Sequence, residues 1–207
     1  MRAGDVTRAR IVAATLESLH EEGILGASAR AIARRGGFNQ ALIFYHFGSL
    51  NELLLAAVDE LSARREQRYT QRLEEVSSLP ELVRVAGELH AEDMEEGHIT
   101  VLSQMLALVA NEPDMRGPLK ERFAPWIRIV EQTVARAIGD TPYADVVPVK
   151  DLAFAITSLF IGLELMLNLE EEADRKGHRV FESFEVLASV LQSLLEVLPP
   201  PPPDGVL

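Results

Sequence analysis

The chain contains no cysteine among its 207 residues. This absence excludes disulfide bonds, thiolate nucleophiles and thiolate metal sites, and it suits a protein of the reducing cytoplasm. The amino terminus also lacks the basic, apolar and small-residue order of a secretory leader. The longest apolar stretch, residues 152–169, is interrupted by polar and charged residues, so we expect no membrane span.

Basic residues are in the minority overall but are unevenly distributed. The formal net charge is −12, from 20 basic and 32 acidic residues. Residues 1–50 hold six arginines and four acidic residues, a balance of +2, so the rest of the chain carries −14. DNA phosphates would attract the first part and repel the second. The distribution therefore favours a nucleic-acid-binding amino terminus joined to an acidic body.

Two short helices joined by a glycine turn are predicted within residues 28–47. Ser28 is a suitable N-cap for the first helix, and the glycine pair 36–37 permits a sharp turn. Asn39 is a suitable cap for the second helix, with Phe38 filling the space between the two. This layout is that of a helix-turn-helix, whose second helix enters the major groove of DNA.

Helical periodicity extends through almost the whole chain, and no segment alternates with the period of a strand. We therefore predict an all-α fold. A capping box at Ser49 and Glu52 begins a long fourth helix. The other helices are predicted at residues 7–22, 79–95, 98–111, 118–138, 149–175 and 177–198.

The first part of the chain carries a pattern of residues in a fixed order and spacing. Its members are Ile32-Ala33, Gly37-Phe38, Ile43, Tyr45-His46-Phe47, Gly48-Ser49 and Glu52-Leu53. This pattern resembles that of the TetR family of bacterial transcriptional regulators. The resemblance implies an N-terminal three-helix DNA-binding module with a helix-turn-helix, followed by a helical ligand-binding and dimerisation domain. We place the first domain at residues 1–48, the second at 49–198, and a proline-rich tail at 199–207.

The resemblance also implies which residues lie near base edges or the DNA backbone. By position these are Ser28, Arg30, Asn39, Gln40, Ala41, Leu42, Phe44, Tyr45 and His46. Gln40 has the side chain for bidentate pairing with an adenine.

Two positions depart from the family pattern. Where this chain has Phe44 and Leu50, the family commonly has a tyrosine and a lysine that contact phosphate. We expect the departures to weaken the dependence of DNA binding on salt. Nearby arginines are expected to compensate, namely Arg2, Arg8, Arg10 and Arg30.

A dimer interface is predicted in the last two helices. Residues 152–166 are apolar nearly all round, so this helix must be covered on both sides. Small residues recur along it, and large apolar residues recur along the final helix. The predicted interface residues are Ala155, Ser158, Gly162, Phe184, Leu187, Leu191 and Leu194. They would form a four-helix interface between two copies; alternatively, they close the core of a monomer.

An apolar cavity for a small ligand is predicted in the body of the protein. Its candidate residues are Gln104, Met105, Val109, Phe123, Trp126, Thr157, Phe160, Glu164 and Asn168. Glu164 is the preferred residue for orienting a ligand, and its alternative role is an ion pair with an arginine. The aromatic residues favour an apolar or aromatic ligand.

Two charged segments carry weaker signals. A stretch rich in acids and histidines near the middle of the chain lacks a tight ligand spacing, so no metal or cofactor is predicted. Arg64, Arg68 and Arg72 share one helix face, but the neighbouring Glu60 and Glu66 favour surface ion pairs over a second DNA contact.

These features predict a homodimeric repressor that binds a pseudo-palindromic operator. We expect it in the bacterial cytoplasm, on the nucleoid when bound to DNA, and released by a small apolar or aromatic molecule. The alternative is a DNA-bound adaptor whose acidic body docks a protein partner. An enzyme is not predicted, because no Ser-His-Asp order, phosphate loop or convincing metal set is present.

Overall fold

This computed structural model of the chain describes residues 3–95, 98–139, 141, 143–167, 169 and 179–197. Within those residues it contains α-helices and one short 3-10 helix, Pro113–Met115, and no strand. The α-helices are α1 Ala3–Gly26, α2 Ala29–Gly36, α3 Ala41–Phe47, α4 Leu50–Glu74, α5 Leu79–Glu95, α6 His98–Leu108, α7 Arg116–Ile138, α8 Val149–Leu167 and α9 Val180–Val197. The predicted all-α fold is confirmed.

The first helix is longer than predicted. The sequence places its end before Gly23, and Gly23 does leave the helical conformation, with φ 69° and ψ 177°. Glycine adopts this backbone readily because it has no Cβ. A further helical turn then follows to Gly26. The prediction that the helix stops at Gly23 is therefore confirmed, because the kink there separates the predicted helix from the further turn that ends at Gly26. The helix begins at Ala3, earlier than the predicted Thr7.

The chain divides into two compact units, Met1–Glu66 with Glu96–Phe123 and Gln67–Glu95 with Ala124–Leu207. The apolar stripes of α1 to α4 meet those of α6 and the start of α7 in the core of the first unit. Its most buried large residues are Ile11, Leu19, Ile32, Ile43, Leu53, Leu55, Met105 and Leu119. Each such side chain contributes about 1.5–3 kcal/mol when fully buried, so this core fixes the helix-turn-helix on its support.

The second unit has a core of its own. It is built mainly from the end of α4, from α5 and from the last turns of α7, with Leu73, Val76, Leu82, Val85, Leu89, Val134 and Ile138 buried together. The last helix, α9, lies close to α5 at Gly87, where an added Cβ would lie 2.9 Å from the ring of Phe181. A glycine therefore permits this close approach. The sequence-based domain boundary at residues 48 and 49 stays a prediction, and the 199–207 tail lies outside the described residues.

Ion pairs join α4 to α5 within the second unit. Arg68 donates to Asp93 at 2.7 Å and lies 3.5 Å from Glu92, and Arg72 pairs with Glu92 at 2.5 Å and with Glu88. The prediction that this arginine row forms ion pairs is thus confirmed for two of its members, although the Asp93 partner of Arg68 is buried and not at the surface. Their partners here are acids of α5, which the local sequence pattern does not indicate. The side chain of Arg64 lies outside the described residues.

In the described part of the chain, no single helix is long and apolar enough to cross a membrane. Among the described residues, one pair of helices, α3 and α4 across a bend of 69°, reaches the required length and composition when taken together. The apolar residues of α4 that produce this signal, among them Leu53, Leu54 and Val58, are buried in the core of the first unit.

Candidate nucleic-acid interface

The first helix of the motif is capped at both ends. Ser28 has an extended backbone, and its hydroxyl accepts a hydrogen bond from the amide of Ala31 at 3.2 Å. At the other end Gly37 adopts a left-handed conformation, with φ 63° and ψ 41°, and the amide of Phe38 donates to the carbonyl of Ala33 at 3.0 Å. These caps satisfy backbone groups that the helix itself leaves unpaired. The predicted roles of Ser28 and the glycine turn are confirmed.

The turn is closed by an aromatic ring packed against a glycine. Phe38 is half-buried against the core of the first unit. A Cβ added to Gly36 would lie 2.1 Å from the Phe38 ring and 3.0 Å from the Cβ of Ala14. The ring therefore occupies the space that any other residue at position 36 would need.

We expect Gly36→Ala to destabilise the first unit by about 2 kcal/mol, the usual scale for an overpacked site. Gly4→Ala is the matched control, because Gly4 also lies in a helix but has open space around it. The control should be neutral or gain up to about 1 kcal/mol from helix propensity. Denaturant unfolding followed by circular dichroism measures both, and equal stabilities for the two variants would contradict the packing seen at Gly36.

The second helix of the motif is short and presents a distinct outer face. The carboxamide oxygen of Asn39 accepts from the amide of Ala41 at 2.9 Å, which confirms the predicted cap. Ile43 and Phe47 are buried and anchor α3 to the core. Its outward residues include Tyr45, which is 82% exposed. Exposure of so large a ring needs an explanation, since aromatic residues are usually buried at least in part.

The predicted DNA-binding residues occupy different places in this motif. Four of them lie exposed on or beside the outer face of α3, namely Gln40, Ala41, Phe44 and Tyr45, and Arg30 is exposed on α2. His46 is half-buried and packs edge-on against Tyr45, with ring centroids 5.0 Å apart. Leu42 packs in part against the core. Ser28 and Asn39 cap helices, so their side chains are engaged within the motif.

Two arginines of α1 contact the ends of the motif helices. Arg10 donates from Nε and Nη2 to the carbonyl of Gly36, at 3.1 and 2.5 Å, and from Nη2 to that of Gly37 at 3.0 Å. Arg8 donates from Nη1 to the carbonyl of His46 at 3.1 Å, and its guanidinium lies 4.2 Å from the centroid of the Phe47 ring. The sequence indicated these arginines only as phosphate contacts and gave no signal of their contacts with the backbone.

Other arginines of the amino-terminal part differ in their surroundings. Arg35 pairs with Glu22 at 2.8 Å and with Glu21 at 2.7 Å. Hydrogen bonds to Glu22 and then to Glu21 raise the pKa of its guanidinium above the usual value. Arg35 thereby ties α2 to α1. Arg2 lies outside the described residues, and the lysine that the family commonly carries at position 50 is replaced by Leu50, which packs against the core.

The predicted ligand-binding residues are divided between the two units. Gln104, Met105, Val109 and Phe123 belong to the first and Trp126, Thr157 and Phe160 to the second. Met105 is fully buried in the first core. Gln104 lies beside Gly23, and its Oε1 is buried with no hydrogen-bond partner among the described residues. The side chain of Glu164 and all of Asn168 lie outside the described residues.

Aromatic rings surround the candidate residues of the second unit. Phe160 packs edge-on against His90, and both contact Phe181, with centroid distances of 5.1 to 6.5 Å. Trp126 packs edge-on against Tyr69 at 5.1 Å. The hydroxyl of Thr157 donates to the carbonyl of Ala153 in its own helix. Phe160 and Trp126 thus lie in ring contacts that the sequence did not indicate, and their place in a ligand site stays a prediction.

The predicted dimer residues lie mostly on uncovered faces of α8 and α9. Ala155, Ser158, Leu187, Leu191 and Leu194 are exposed, while Gly162 and Phe184 are half-buried. A Cβ at Gly162 would meet no heavy atom within 4 Å. The glycine therefore serves no close approach within the part of the chain that the structure describes.

Comparison with known proteins agrees with this geometry. Residues 11–57 match the family model described as bacterial regulatory proteins, tetR family. Comparison with curated proteins finds no match. The matched segment contains the whole helix-turn-helix and the start of α4.

Solved structures share the fold over nearly the whole chain. One is the multidrug binding protein EbrR complexed with imidazole, with 22% identity, TM-score 0.64, and coverage of 95% of this chain and 97% of that one. A TetR-family member from Streptomyces coelicolor has 22% identity, TM-score 0.62, and coverages of 89% and 97%. Salmonella enterica GusR has 18% identity, TM-score 0.69, and coverages of 93% and 98%. At these identities the likeness concerns the fold.

The family match falls on the residues that build the capped helix-turn-helix, and the remaining helices share their fold with the solved structures. Residues 11–57 form a domain of the tetR family of bacterial regulatory proteins, which are DNA-binding transcriptional regulators.

Proposed function

We propose that the protein is a homodimeric repressor of the bacterial cytoplasm that binds a pseudo-palindromic operator and is released by a small molecule. The observation that carries the proposal is the outer face of α3. Gln40, Ala41, Phe44 and Tyr45 are exposed there, while Ile43 and Phe47 on the inner face are buried. A short helix with a buried inner face and an exposed outer face has the form of a recognition helix.

Dimerisation through α8 and α9 is supported by their exposed apolar residues. Phe154 on α8 and Leu187 on α9 are each 62% exposed, and further exposed apolar residues include Leu159, Leu165, Met166, Val186, Val190, Leu191 and Leu194. Monomeric soluble proteins rarely expose apolar patches of this kind. A second copy would cover them, and a two-fold protein matches a two-fold DNA site.

Release by a small apolar or aromatic molecule is supported by two observations. The aromatic cluster of His90, Phe160 and Phe181 within the second unit offers rings for such a ligand. EbrR, which shares the fold, is a multidrug binding protein. Glu164 and Asn168 remain predicted contributors to the site.

The proposed mechanism is a shift between two states of the dimer. The α4 helix contributes residues to both compact units. In one conformation of the body, α4 would hold the two DNA modules at a spacing that does not match successive major grooves. A ligand that binds this conformation more tightly lowers the operator affinity, by the factor by which its own affinities for the two states differ. By linkage, operator DNA must weaken ligand binding by the same factor. Equal ligand affinity with and without DNA would contradict this mechanism.

Gln40→Ala tests base reading by α3. We expect the variant to lose preference for one base pair in each half-site, since a bidentate contact with adenine supplies about 1–3 kcal/mol of discrimination. Competition binding on operator duplexes with single base-pair changes measures this loss. Ala13→Ser is a control on an exposed residue of α1 and should leave every preference unchanged. An unchanged base profile for Gln40→Ala would show that this side chain reads no base.

A further inference from the structure

The two arginines of α1 close the carboxyl ends of both helices of the motif. Arg10 donates to the carbonyls of Gly36 and Gly37, where α2 ends. Arg8 donates to the carbonyl of His46, in the last turn of α3. The two arginines are two positions apart on α1, so one short segment of that helix contacts both α2 and α3.

These contacts meet a physical need of the motif. The last carbonyls of a helix have no partner within it and carry partial negative charge, so a guanidinium there stabilises the helix end. The need is greatest for short helices, which are marginal alone. Here α2 has eight residues and α3 has seven. The orientation of α3 therefore depends on its buried side and on contacts such as that of Arg8.

Packing reinforces the hydrogen bonds. The Arg8 guanidinium lies over the ring of Phe47, which is itself buried, and the Arg10 guanidinium lies 5.9 Å from the ring centroid of Phe38. Cations over aromatic faces gain a further attraction. Each arginine is thus held by a carbonyl and a ring that belong to the motif.

We propose that Arg8 and Arg10 are positioning residues for operator recognition, which set the orientation of the motif helices through contacts with their carboxyl ends and do not act as phosphate contacts. The inference rests on the proposed operator binding. It replaces the expectation, drawn from the sequence, that these two arginines compensate for missing phosphate contacts.

The two roles respond differently to lysine. A phosphate contact needs a positive charge, which lysine keeps. The Arg10 contact uses two nitrogens of one planar group on two adjacent carbonyls, and an ammonium group cannot reproduce that geometry. Arg10→Lys and Arg10→Met therefore separate geometry from charge. Arg8 donates from a single nitrogen, so only Arg8→Met is tested at that position.

The test measures binding to two duplexes over a series of salt concentrations. One duplex is selected from a random pool by the wild-type protein, and the other is a scrambled duplex of equal length and composition. We expect the lysine and methionine variants of Arg10 alike to bind the selected duplex roughly tenfold more weakly, the scale of a weakened base contact in each half-site. Binding to the scrambled duplex and the salt slope should stay at wild-type values.

Three results would overturn the inference. A phosphate role predicts a near-normal lysine variant and a methionine variant whose salt slope falls by about 0.9 for each phosphate that the protein no longer neutralises. A purely structural role predicts equally weakened binding to both duplexes as the folded fraction falls, with a matching fall in thermal stability. Wild-type affinity in every variant would show that neither arginine affects DNA binding.

Arg30→Met serves as a calibration, because Arg30 is at an exposed position on α2. It measures how far the salt slope of DNA binding changes when one surface charge is removed.

The proposed function and the inference fail in different ways. If the wild type selects no preferred duplex, operator binding itself fails. If the wild type selects one and the Arg8 and Arg10 variants retain the ratio of the two affinities, only the positioning role fails.

Discussion

Leu187→Glu combined with Leu191→Glu is expected to yield a folded monomer whose operator affinity falls by about a hundredfold or more. The two leucines lie one helical turn apart on α9 and are 62% and 49% exposed. Glutamate at these positions is harmless in a monomer but leaves unpaired charge in an apolar interface, which is costly. The operator affinity falls because two linked half-site contacts bind more tightly than a single one, by a factor of about 10² to 10⁴.

Sedimentation analysis and DNA binding by the same samples measure this effect. Leu106→Glu is the matched control, since Leu106 is also an exposed leucine, on α6 of the first unit. The control should remain dimeric and bind the operator normally. A double variant that remains dimeric at micromolar concentration would contradict an interface on this face of α9.

Asp93→Ala is expected to lower the stability of the second unit by about 3 kcal/mol, the scale for breaking a buried ion pair. The Asp93 side chain is 0% exposed and accepts from Arg68 at 2.7 Å and from the hydroxyl of Tyr69 at 2.5 Å. Removal of the carboxylate takes a charged partner at 2.7 Å from Arg68 and an acceptor at 2.5 Å from Tyr69. Both of these groups lie on α4, so the change also weakens the contact of α4 with α5.

The single tryptophan of the chain provides the measurement. Trp126 packs on Tyr69 within the second unit, so denaturant unfolding followed by its fluorescence reports on that unit. Glu92→Ala is the control, because Glu92 is 40% exposed and exposed ion pairs contribute less than about 1 kcal/mol. Equal destabilisation by the two changes would contradict a buried role for Asp93.

The local structure of the helix-turn-helix could be predicted from the sequence. The caps at Ser28 and Asn39 and the left-handed turn at Gly37 depend on residues within a few positions of one another. Such short-range interactions can be predicted from a local sequence pattern. The same holds for α5, whose bounds of Leu79–Glu95 match the prediction.

Contacts between distant segments could not be predicted in this way. Arg8 and its acceptor His46 are 38 positions apart, and Arg68 and Asp93 are 25 apart. A local pattern shows that an arginine has acidic neighbours on its own helix, but it does not show which other helix packs alongside. The contacts of Arg8 and Arg10 with the motif depend on how α1 packs against it, which a local pattern does not show.

Periodicity alone could not separate a dimer face from a core face. The α8 sequence is apolar nearly all round, and this pattern fits burial against the same chain or against a second one. The structure shows Ala153 buried while Phe154 and Leu159 are exposed. These exposed residues favour a dimer interface over the core of a monomer. The oligomeric state of the Leu187→Glu, Leu191→Glu double variant decides between the two.

Selection of bound duplexes from a random pool by the wild-type protein, at low and at moderate salt, tests the central claim most directly. We expect an enriched inverted repeat whose half-sites are centred about one helical turn, or a multiple of it, apart. The enrichment should persist at moderate salt, because base contacts with α3 supply specificity that phosphate contacts do not. No enriched sequence at either salt concentration would contradict operator reading by α3, and an enriched single half-site would contradict the dimer.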